Sequence, residues 1–289
     1  MILVDTHCHL NHPPLCQDTD GVLARAAAAQ VMRVVAPAYD TPSWDDLAAL
    51  AARPGVDVAL GLHPWLAHDL PGQVAALEAE RPVPRAELQP AAGPPAPVPP
   101  AVQAAALDRL LEHLAARVQA RRPVAIGEIG LDTKITASGL AVQLPLLERQ
   151  LALAVDLDLP VILHCRGAFE ELLGAVGRHG GRLRGVLHAF SRGPDLAARF
   201  AGAGLHLALG GAVTRERAKQ VRRAARTASL DRLVLETDAP SIGLQDVPPE
   251  RTEPCHVRDI ASAVAGLRGE SMESVAAATT AAANRLFGF

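Results

Sequence analysis

Residues that can bind metal ions or move protons follow several apolar runs of this sequence. The first run, ILVD (2–5), leads into the pattern DxHxH, which contains Asp5, His7 and His9. Because side chains alternate across an extended strand, these three side chains are expected on the same side. Four later apolar runs also carry a histidine or a carboxylate near their ends: Glu128, His164, His188 and Asp238.

Metal binding is the chemistry that this collection of side chains indicates. Ionisable groups gathered at one edge of a sheet are costly to bury without a compensating charge, and divalent cations supply one. Four histidines and two carboxylates exceed what one four-coordinate ion needs, so we predict two ions. The mixture suits Zn or Mn, and Mg less well. We predict that one ion is bound by His7, His9 and Asp238 and the other by His164 and His188. Glu128 is predicted to bridge the two ions.

The elements that must position these residues alternate regularly along the chain. Short apolar runs, typical of strands buried on both faces of a parallel sheet, occur at 2–5, 31–37, 56–63, 123–130, 160–165, 184–190, 204–211 and 232–238. Helical patterns separate them, and a long helical tail is predicted over 256–284. Eight strands with alternating helices predict an α/β fold, a (β/α)8 TIM barrel. A doubly wound open sheet is the alternative, but it would need a glycine-rich phosphate loop after an early strand.

A proline-rich segment interrupts this alternation. Residues 82–101 read PVPRAELQPAAGPPAPVPPA, a composition typical of polyproline or disordered chain. The segment falls between the third strand and the next predicted helix. We therefore predict a single domain over 1–289 with an inserted loop at 69–101, in the third βα loop. Proline-rich segments are common docking sites, so a protein partner is one hypothesis for this loop.

Composition excludes several classes of protein. Apolar residues make up 49% and charged residues 20% of the 289 residues, which excludes a wholly disordered chain. The net charge of −3 argues against a broad basic grip on duplex nucleic acid. Two Trp, one Tyr and five Phe leave little material for a platform that stacks bases. Four cysteines without a CxxC pair, together with the lack of a signal peptide or membrane span in the pattern, predict a cytoplasmic protein without membrane association.

The ordered motifs of the chain resemble those of the TatD-type metal-dependent deoxyribonucleases of the amidohydrolase superfamily. The matching segments, in family order, are VDTHCHL (4–10), GLHPW (61–65), AIGEIGLD (125–132), QLALAVDLDLPVILHCRGA (150–168), GVLHAFS (185–191), GGAVT (210–214), LETDAP (235–240), TEP (252–254) and NRLF (284–287). They extend along nearly the whole chain except about 69–101.

This resemblance implies a function. It implies a TIM barrel that binds two divalent cations (Mg, Mn or Zn) and hydrolyses phosphodiester bonds of DNA, often from the 3′ end. It implies the same six metal ligands that the strand ends predict. It also implies a substrate-facing role for His63 and a phosphate contact near Arg166. We expect catalysis from Asp238, Glu128 and His63, with Asp238 accepting or orienting the proton of a metal-activated hydroxide.

Some positions depart from the family pattern. The family's RDA is here Arg166, Gly167 and Ala168, so a carboxylate is missing beside a predicted ligand. FSG has become FSR, and Arg192 adds a positive group that could contact substrate. Glu236 shares its side of the strand with Asp238, so a role in orienting a ligand or contacting substrate is possible, as is a structural salt bridge.

Other activities remain open at this point. A related barrel could hydrolyse RNA or an ester or amide such as aminoacyl-tRNA. Many such barrels bridge their metals with a carboxylated lysine, but neither Lys134 nor Lys219 ends a strand here. Glu128 in the bridging place favours phosphodiester hydrolysis. The chain could also act as a subunit of a larger DNA-processing or defence complex.

Overall fold

The computed structural model describes residues 1–79, 98–134 and 139–289. Within these residues, eight parallel strands form one sheet in the order β1 to β8. The predicted strand positions are confirmed, although several strands are shorter than their apolar runs. The strands are β1 Leu3–Asp5, β2 Val31–Pro37, β3 Val56–Leu60, β4 Ala125–Asp132, β5 Val161–Arg166, β6 Gly185–Leu187, β7 Leu205–Leu209 and β8 Leu233–Leu235.

Helices alternate with these strands, as the sequence predicts for a (β/α)8 barrel. The helices in the described ranges are α1 Thr19–Ala28, α2 Ser43–Leu50, α3 Leu70–Glu78, α4 Pro100–Arg121, α5 Leu140–Asp156, α6 Phe169–Gly177, α7 Pro194–Gly202, α8 Lys219–Thr227, α9 Val257–Arg268 and α10 Met272–Phe287. None of them is long and apolar enough to cross a membrane.

The residues fall into two compact units. The first unit contains Met1–Pro37, Leu50–Asp57 and Arg184–Phe289. Within it β1 pairs with β2, β6 with β7, and β7 with β8. The last strand also meets the first, because the Thr6 amide donates to the Leu235 carbonyl over 2.9 Å and Cys8 forms a parallel bridge with Ala239. This closure from β8 back to β1 distinguishes a barrel from an open sheet.

The second unit contains Ala38–Ala49 and Val58–Leu183. Its centre is β4, which pairs with β3 on one side and with β5 on the other. All eight residues of β4 are buried, as expected for a strand covered on both faces. Gly130 in this strand has φ +153° and packs against the His164 backbone of β5, so a side chain at this position would collide with the neighbouring strand.

Two predicted elements differ in the structure. The range 69–101, predicted as a loop, contains α3 and the first residues of α4, while its residues 80–97 lie outside the described residues. The segment LPGQVAALE forms a helix because Pro71 lies in the first turn, where its missing N–H is not needed, and the Asp69 carboxylate accepts a hydrogen bond from the Gly72 amide. The single-domain assignment and the docking role of the proline-rich segment stay predictions.

The predicted helical tail over 256–284 is two helices rather than one. Gly269 ends α9 in the left-handed conformation, with φ +67°. Two residues later the Ser271 hydroxyl accepts a hydrogen bond from the Ser274 amide and begins α10. Glycine at a helix end and serine at a helix start are strong punctuation, which the continuous apolar periodicity of this region obscures.

Candidate functional site

Two groups of buried histidines and carboxylates could each hold metal, one in each unit. The first cluster consists of His7, His9, His188, Glu236 and Asp238. The second cluster consists of His63, Glu128 and His164. All eight side chains are at least nine-tenths buried. Each of the predicted metal ligands therefore belongs to one of the two clusters.

The loops that follow β1 and β8 position one part of the first cluster. Backbone hydrogen bonds join these loops, from the Asp238 amide to the His7 carbonyl over 2.8 Å and from the His9 amide to the Ala239 carbonyl over 2.8 Å. The Nε2 atoms of His7 and His9 lie 3.3 Å apart, and they lie 3.7 Å and 3.4 Å from Oδ1 of Asp238. These three side chains are the set that the sequence predicts for one ion.

Asp5, the last residue of β1, connects these two loops through hydrogen bonds. Its carboxylate accepts hydrogen bonds from the Thr237 hydroxyl over 2.6 Å, from the Thr237 amide over 2.9 Å and from the His7 amide over 3.2 Å. Asp5, the first residue of the DxHxH pattern, therefore fixes the backbone beside His7 and Asp238. Burial raises the pKa of Asp5 to about 7.

His188 and Glu236 form the other part of the first cluster. The His188 ring stacks on the His7 ring with centroids 4.0 Å apart, and its Nδ1 lies 3.8 Å from Oε1 of Glu236. Oε1 of Glu236 accepts a hydrogen bond from the Ala189 amide over 2.5 Å. Its other oxygen, Oε2, is buried and has no hydrogen-bond partner within the described ranges. Burial raises the pKa of Glu236 to about 8.

The chemistry of this donor set fits a divalent cation. Three imidazoles can bind a cation through nitrogen, and the buried Glu236 oxygen that lacks a partner among the described residues would gain one from that cation. Burial opposes ionisation of Asp238, but the hydrogen bond with His9 and the nearby His7 and His188 lower its pKa. Asp238 and the residue after His188, Ala189, both have positive φ, 51° and 48°, a conformation that proteins retain most often at functional sites.

Strands β4 and β5 carry Glu128 and His164 of the second cluster, and His63 comes from the segment after β3. Oε1 of Glu128 lies 2.9 Å from Nδ1 of His164 and 3.4 Å from Nε2 of His63. The other ring nitrogen of His63 accepts a hydrogen bond from the Trp65 amide over 3.3 Å, which orients Nε2 toward Glu128. His63 was predicted to face substrate, and the structure brings it together with two predicted metal ligands. The predicted pairing of His164 with His188 on one ion stays a prediction.

Asp132, which contacts the second cluster, is not among the residues predicted from the sequence. The apolar run predicts that β4 ends near Glu128, whereas the strand continues to Asp132. Oδ2 of Asp132 lies 3.1 Å from Nε2 of His164 and 3.4 Å from the Arg166 guanidinium, and it accepts a 2.7 Å hydrogen bond from the Trp65 indole. Counting in steps of two from Glu128 reaches Asp132, so strand alternation could have identified it.

Hydrogen bonds make Asp132 a stable anion. Its other oxygen accepts from the Lys134 amide over 2.7 Å. Burial alone would raise the pKa of this carboxyl, but the hydrogen bonds from His164 and Trp65 outweigh it and lower the pKa to about 2. Gln143 brackets the Asp132 backbone with bonds to its amide and its carbonyl, 2.7 Å and 2.8 Å long. Asp132 is therefore rigidly placed behind His164.

The predicted substrate residues differ in exposure. Arg166 is 52% exposed and touches Asp132, so its guanidinium can reach a ligand in solvent. Arg192 is exposed as well. Glu236 is fully buried beside His188, which places it among the possible metal ligands rather than at a surface that meets substrate.

Comparisons with known proteins agree with these observations. The model of the TatD related DNase family matches residues 4–288. The metal-dependent hydrolase YjjV of Escherichia coli is 33% identical over 95% of this chain and 93% of its own. Its crystal structure superposes with a TM-score of 0.79 over 99% of this chain and 98% of that chain.

Two further relatives carry nuclease names. The human deoxyribonuclease TATDN3 is 32% identical over 99% of this chain and 94% of its own. The 3′-5′ ssDNA/RNA exonuclease TatD of Erwinia tasmaniensis is 39% identical over 57% of this chain and 66% of its own. The predicted barrel and the predicted metal-dependent hydrolase are thereby confirmed. Because the family model matches residues 4–288, nearly the whole chain, this chain belongs to the TatD related DNase family.

Proposed function

We propose that this protein hydrolyses phosphodiester bonds of DNA, as a 3′-5′ exonuclease acting on single strands, with two divalent ions. The observation that carries the proposal is the first cluster, where a buried Glu236 oxygen has no hydrogen-bond partner in the described part of the chain and lies beside three imidazoles and Asp238. Such a donor set is suited to a divalent cation that opposes anionic charge at a phosphate. The nuclease names of the human and Erwinia relatives support the substrate class.

In place of the predicted pairing of His164 with His188 and the predicted bridge by Glu128, we propose one ion for each cluster. His7, His9 and Asp238 would hold one, with Glu236 and His188 beside it, and Glu128 with His164 and His63 would hold the other. Divalent cations held in this way supply Lewis-acid charge and make water a better nucleophile at neutral pH. Zn and Mn suit the mixture of imidazole and carboxylate, and Mg remains an arm of the test.

The residues of this chain would then handle the proton and the phosphate. Hydrolysis forms a bond from the water oxygen to phosphorus and breaks the bond from phosphorus to the leaving sugar oxygen. The lowered pKa of Asp238 means that its carboxylate is ionised at neutral pH, where it would orient the attacking water and accept its proton as the bond to phosphorus forms. That proton is passed to the leaving oxygen. The exposed guanidinium of Arg166 would contact the phosphate.

A nuclease assay tests this proposal. The full chain is incubated with end-labelled single- and double-stranded DNA and with single-stranded RNA, each in Mg, Mn or Zn, and the products are separated by length. We expect metal-dependent shortening of single-stranded DNA from the 3′ end. Substrates labelled at the 5′ end would give a ladder, and substrates blocked at the 3′ end would resist.

Variants connect the activity to the site. Asp238→Asn should abolish shortening, whereas Asp246→Asn, at an exposed aspartate in the segment after β8, should keep full activity. Circular dichroism checks that both fold. Full activity in Asp238→Asn, or no cleavage of any nucleic acid with any of the metals, would overturn the proposal. Cleavage of RNA but not DNA would reassign the substrate.

A further inference from the structure

The chain has few aromatic residues, yet two of them lie together at the second cluster. Tyr39 is the single tyrosine of the sequence, and Trp65 is one of two tryptophans. The Tyr39 ring stacks on His63 with centroids 5.0 Å apart, and the Trp65 ring meets Tyr39 edge-on at 5.9 Å. Trp65 also meets the ring of His164 edge-on at 6.4 Å.

Both rings are only half-buried, unlike the other tryptophan. Trp44 is 2% exposed and donates its indole hydrogen to the Gly61 carbonyl over 3.0 Å, as a core residue does. Tyr39 and Trp65 keep part of their surface open to solvent, while their rings also contact the buried His63 and, for Trp65, the buried His164. A half-open aromatic surface beside candidate metal ligands is available to a flat apolar group.

The Trp65 ring is held in place before any ligand binds. Its indole nitrogen donates a 2.7 Å hydrogen bond to the buried carboxylate of Asp132, which also contacts His164 and the exposed guanidinium of Arg166. A fixed ring loses little conformational freedom on binding, so stacking on it is more favourable than stacking on a free one. The carboxylate of Asp132 therefore contacts both the aromatic ring of Trp65 and the guanidinium of Arg166.

These surfaces match the two parts of a nucleotide. A nucleobase offers a flat π face that stacks on aromatic rings whatever its sequence, and its phosphate pairs with a guanidinium. We propose that Tyr39 and Trp65 form a stacking site for the terminal nucleobase of a single-stranded nucleic acid. The inference rests on the proposed function for its substrate and adds the contact that selects a base-bearing end.

A pair of substrates isolates the stacking contact. One is a single-stranded oligothymidylate, and the other is the same strand with an abasic sugar at its 3′ terminus, so that both carry the same phosphates. With Mn²⁺ we expect kcat/KM to favour the complete strand by roughly 5- to 150-fold, the range that corresponds to stacking one base on an aromatic ring.

Variants assign this preference to the two rings. Trp65→Leu and Tyr39→Leu should each bring the ratio of the two kcat/KM values toward one, and Trp65→Phe should restore part of it. The ratio is informative even where a variant lowers both rates. Phe289→Leu serves as the matched control, because Phe289 is a half-buried ring that contacts Phe287 and Arg33 instead. Its ratio should stay at the wild-type value.

Fluorescence supplies a second measurement that needs no turnover. In Trp44→Phe, Trp65 is the single tryptophan, and in EDTA the complete oligothymidylate should quench its emission while the abasic strand should not. Equal cleavage of both strands by the wild type, or an unchanged ratio in Trp65→Leu, would overturn the stacking site while leaving the nuclease activity in place. If no strand is cleaved at all, the proposed function fails, and equal quenching by both strands then overturns the stacking site independently.

Discussion

The two clusters use the same residue types but balance their charges differently. In the first cluster the carboxylate of Glu236 is buried with one oxygen that lacks a partner in the described ranges, and burial raises its pKa to about 8. Asp132, which contacts the second cluster, is equally buried, yet both of its oxygens accept hydrogen bonds and its pKa falls to about 2. Without metal, the first cluster therefore contains an acid with an unsatisfied oxygen within the described ranges, whereas the second adjoins a fully hydrogen-bonded anion.

The supporting backbone differs in the same sense. The first cluster lies in loops after short strands, where Ala189 and Asp238 adopt positive φ. In the second cluster Glu128 and His164 lie within β4 and β5, whose pairing has an irregularity between Ile126 and Ile129, and His63 follows β3. A cation would compensate the cost of burying Glu236, whereas Asp132 already gains its stabilisation from protein donors. We conclude that the first cluster depends more strongly on a bound ion, and the second is better preorganised.

Among the histidines of the two clusters, the largest expected effect comes from His7, which belongs to both parts of the first cluster. His7→Asn should lower kcat/KM by roughly a thousandfold or more, the scale of losing a central catalytic group. His63→Asn in the second cluster should cost less, roughly 10- to 100-fold. Steady-state kinetics and metal content by elemental analysis of the purified variants check this order.

The metal content decides what that order means. We expect His7→Asn to bind less metal than the wild type and His63→Asn to lose less of it. If the two variants lose the same amount of metal and the same activity, the two clusters depend equally on an ion, and the contrast drawn between them is wrong.

A smaller effect is expected when Asp132 is changed. Asp132→Asn keeps the shape of the side chain but removes the charge that faces His164 and Arg166. Partners that orient a metal-bound histidine typically contribute roughly 10- to 100-fold in metal affinity or activity, so we expect a loss in that range. Titrating Mn²⁺ in the activity assay measures it. An unchanged metal dependence would show that Asp132 serves the fold alone.

A rise in pH should change the free energy of unfolding in opposite directions through Glu236 and through Asp132. In the metal-free protein the pKa of Glu236 lies near 8 instead of its ordinary 4.5, so the folded state binds more protons between these values. The stability associated with this proton is present below about pH 4.5 and is lost as pH rises toward 8. Asp132 behaves conversely, since its stabilisation is lost as pH falls from about 4 toward 2.

Thermal unfolding in EDTA tests this contrast at pH 5 and pH 8. Glu236→Gln should be more stable than the wild type at pH 8, by about 1–3 kcal/mol, and should lose less stability between the two pH values. Asp5, whose pKa is also raised, should leave part of the slope in the variant. Adding Mn²⁺ should raise the melting temperature of the wild type more than that of Glu236→Gln. Asp246→Asn is the control, and a variant with the wild-type slope would remove the basis of the comparison.

The sequence predicted the positions of the strands well because continuous apolar runs bounded by polar residues have one main physical meaning, a strand buried on both faces. It also identified every residue of the first cluster, since these polar side chains interrupt apolar runs. It failed where local rules compete. Pro71 and Gly72 indicate a loop, but a capped first turn tolerates both, so α3 forms.

The contacts within the site could not be read from the sequence. Asp132 was not predicted because β4 was expected to end before it. Trp65 was not predicted because a single tryptophan, in a chain with few aromatic residues, forms no periodic pattern that would reveal a role. Pairings such as Trp65 with Asp132 join positions far apart in the chain and depend on the register of β4 against its neighbours. Only the folded chain shows which buried carboxylate is satisfied and which is not.

The smallest expected effect concerns Arg166, an exposed cation that contacts Asp132 beside the second cluster. Its guanidinium is 52% exposed and lies 3.4 Å from Asp132, so an ion pair of this kind contributes little to stability. Arg166→Ala should raise KM for single-stranded DNA by a few-fold, roughly up to tenfold, and leave kcat nearly unchanged, because a contact made equally in the ground and transition states affects binding alone.

The KM of Arg166→Lys should lie between those of the wild type and Arg166→Ala. Added salt should narrow the difference in KM between the wild type and Arg166→Ala, because it screens the phosphate contact. A fall in kcat at constant KM would instead mean that Arg166 acts through Asp132 on His164, which would tie this exposed residue to the preorganised metal ligand rather than to the substrate.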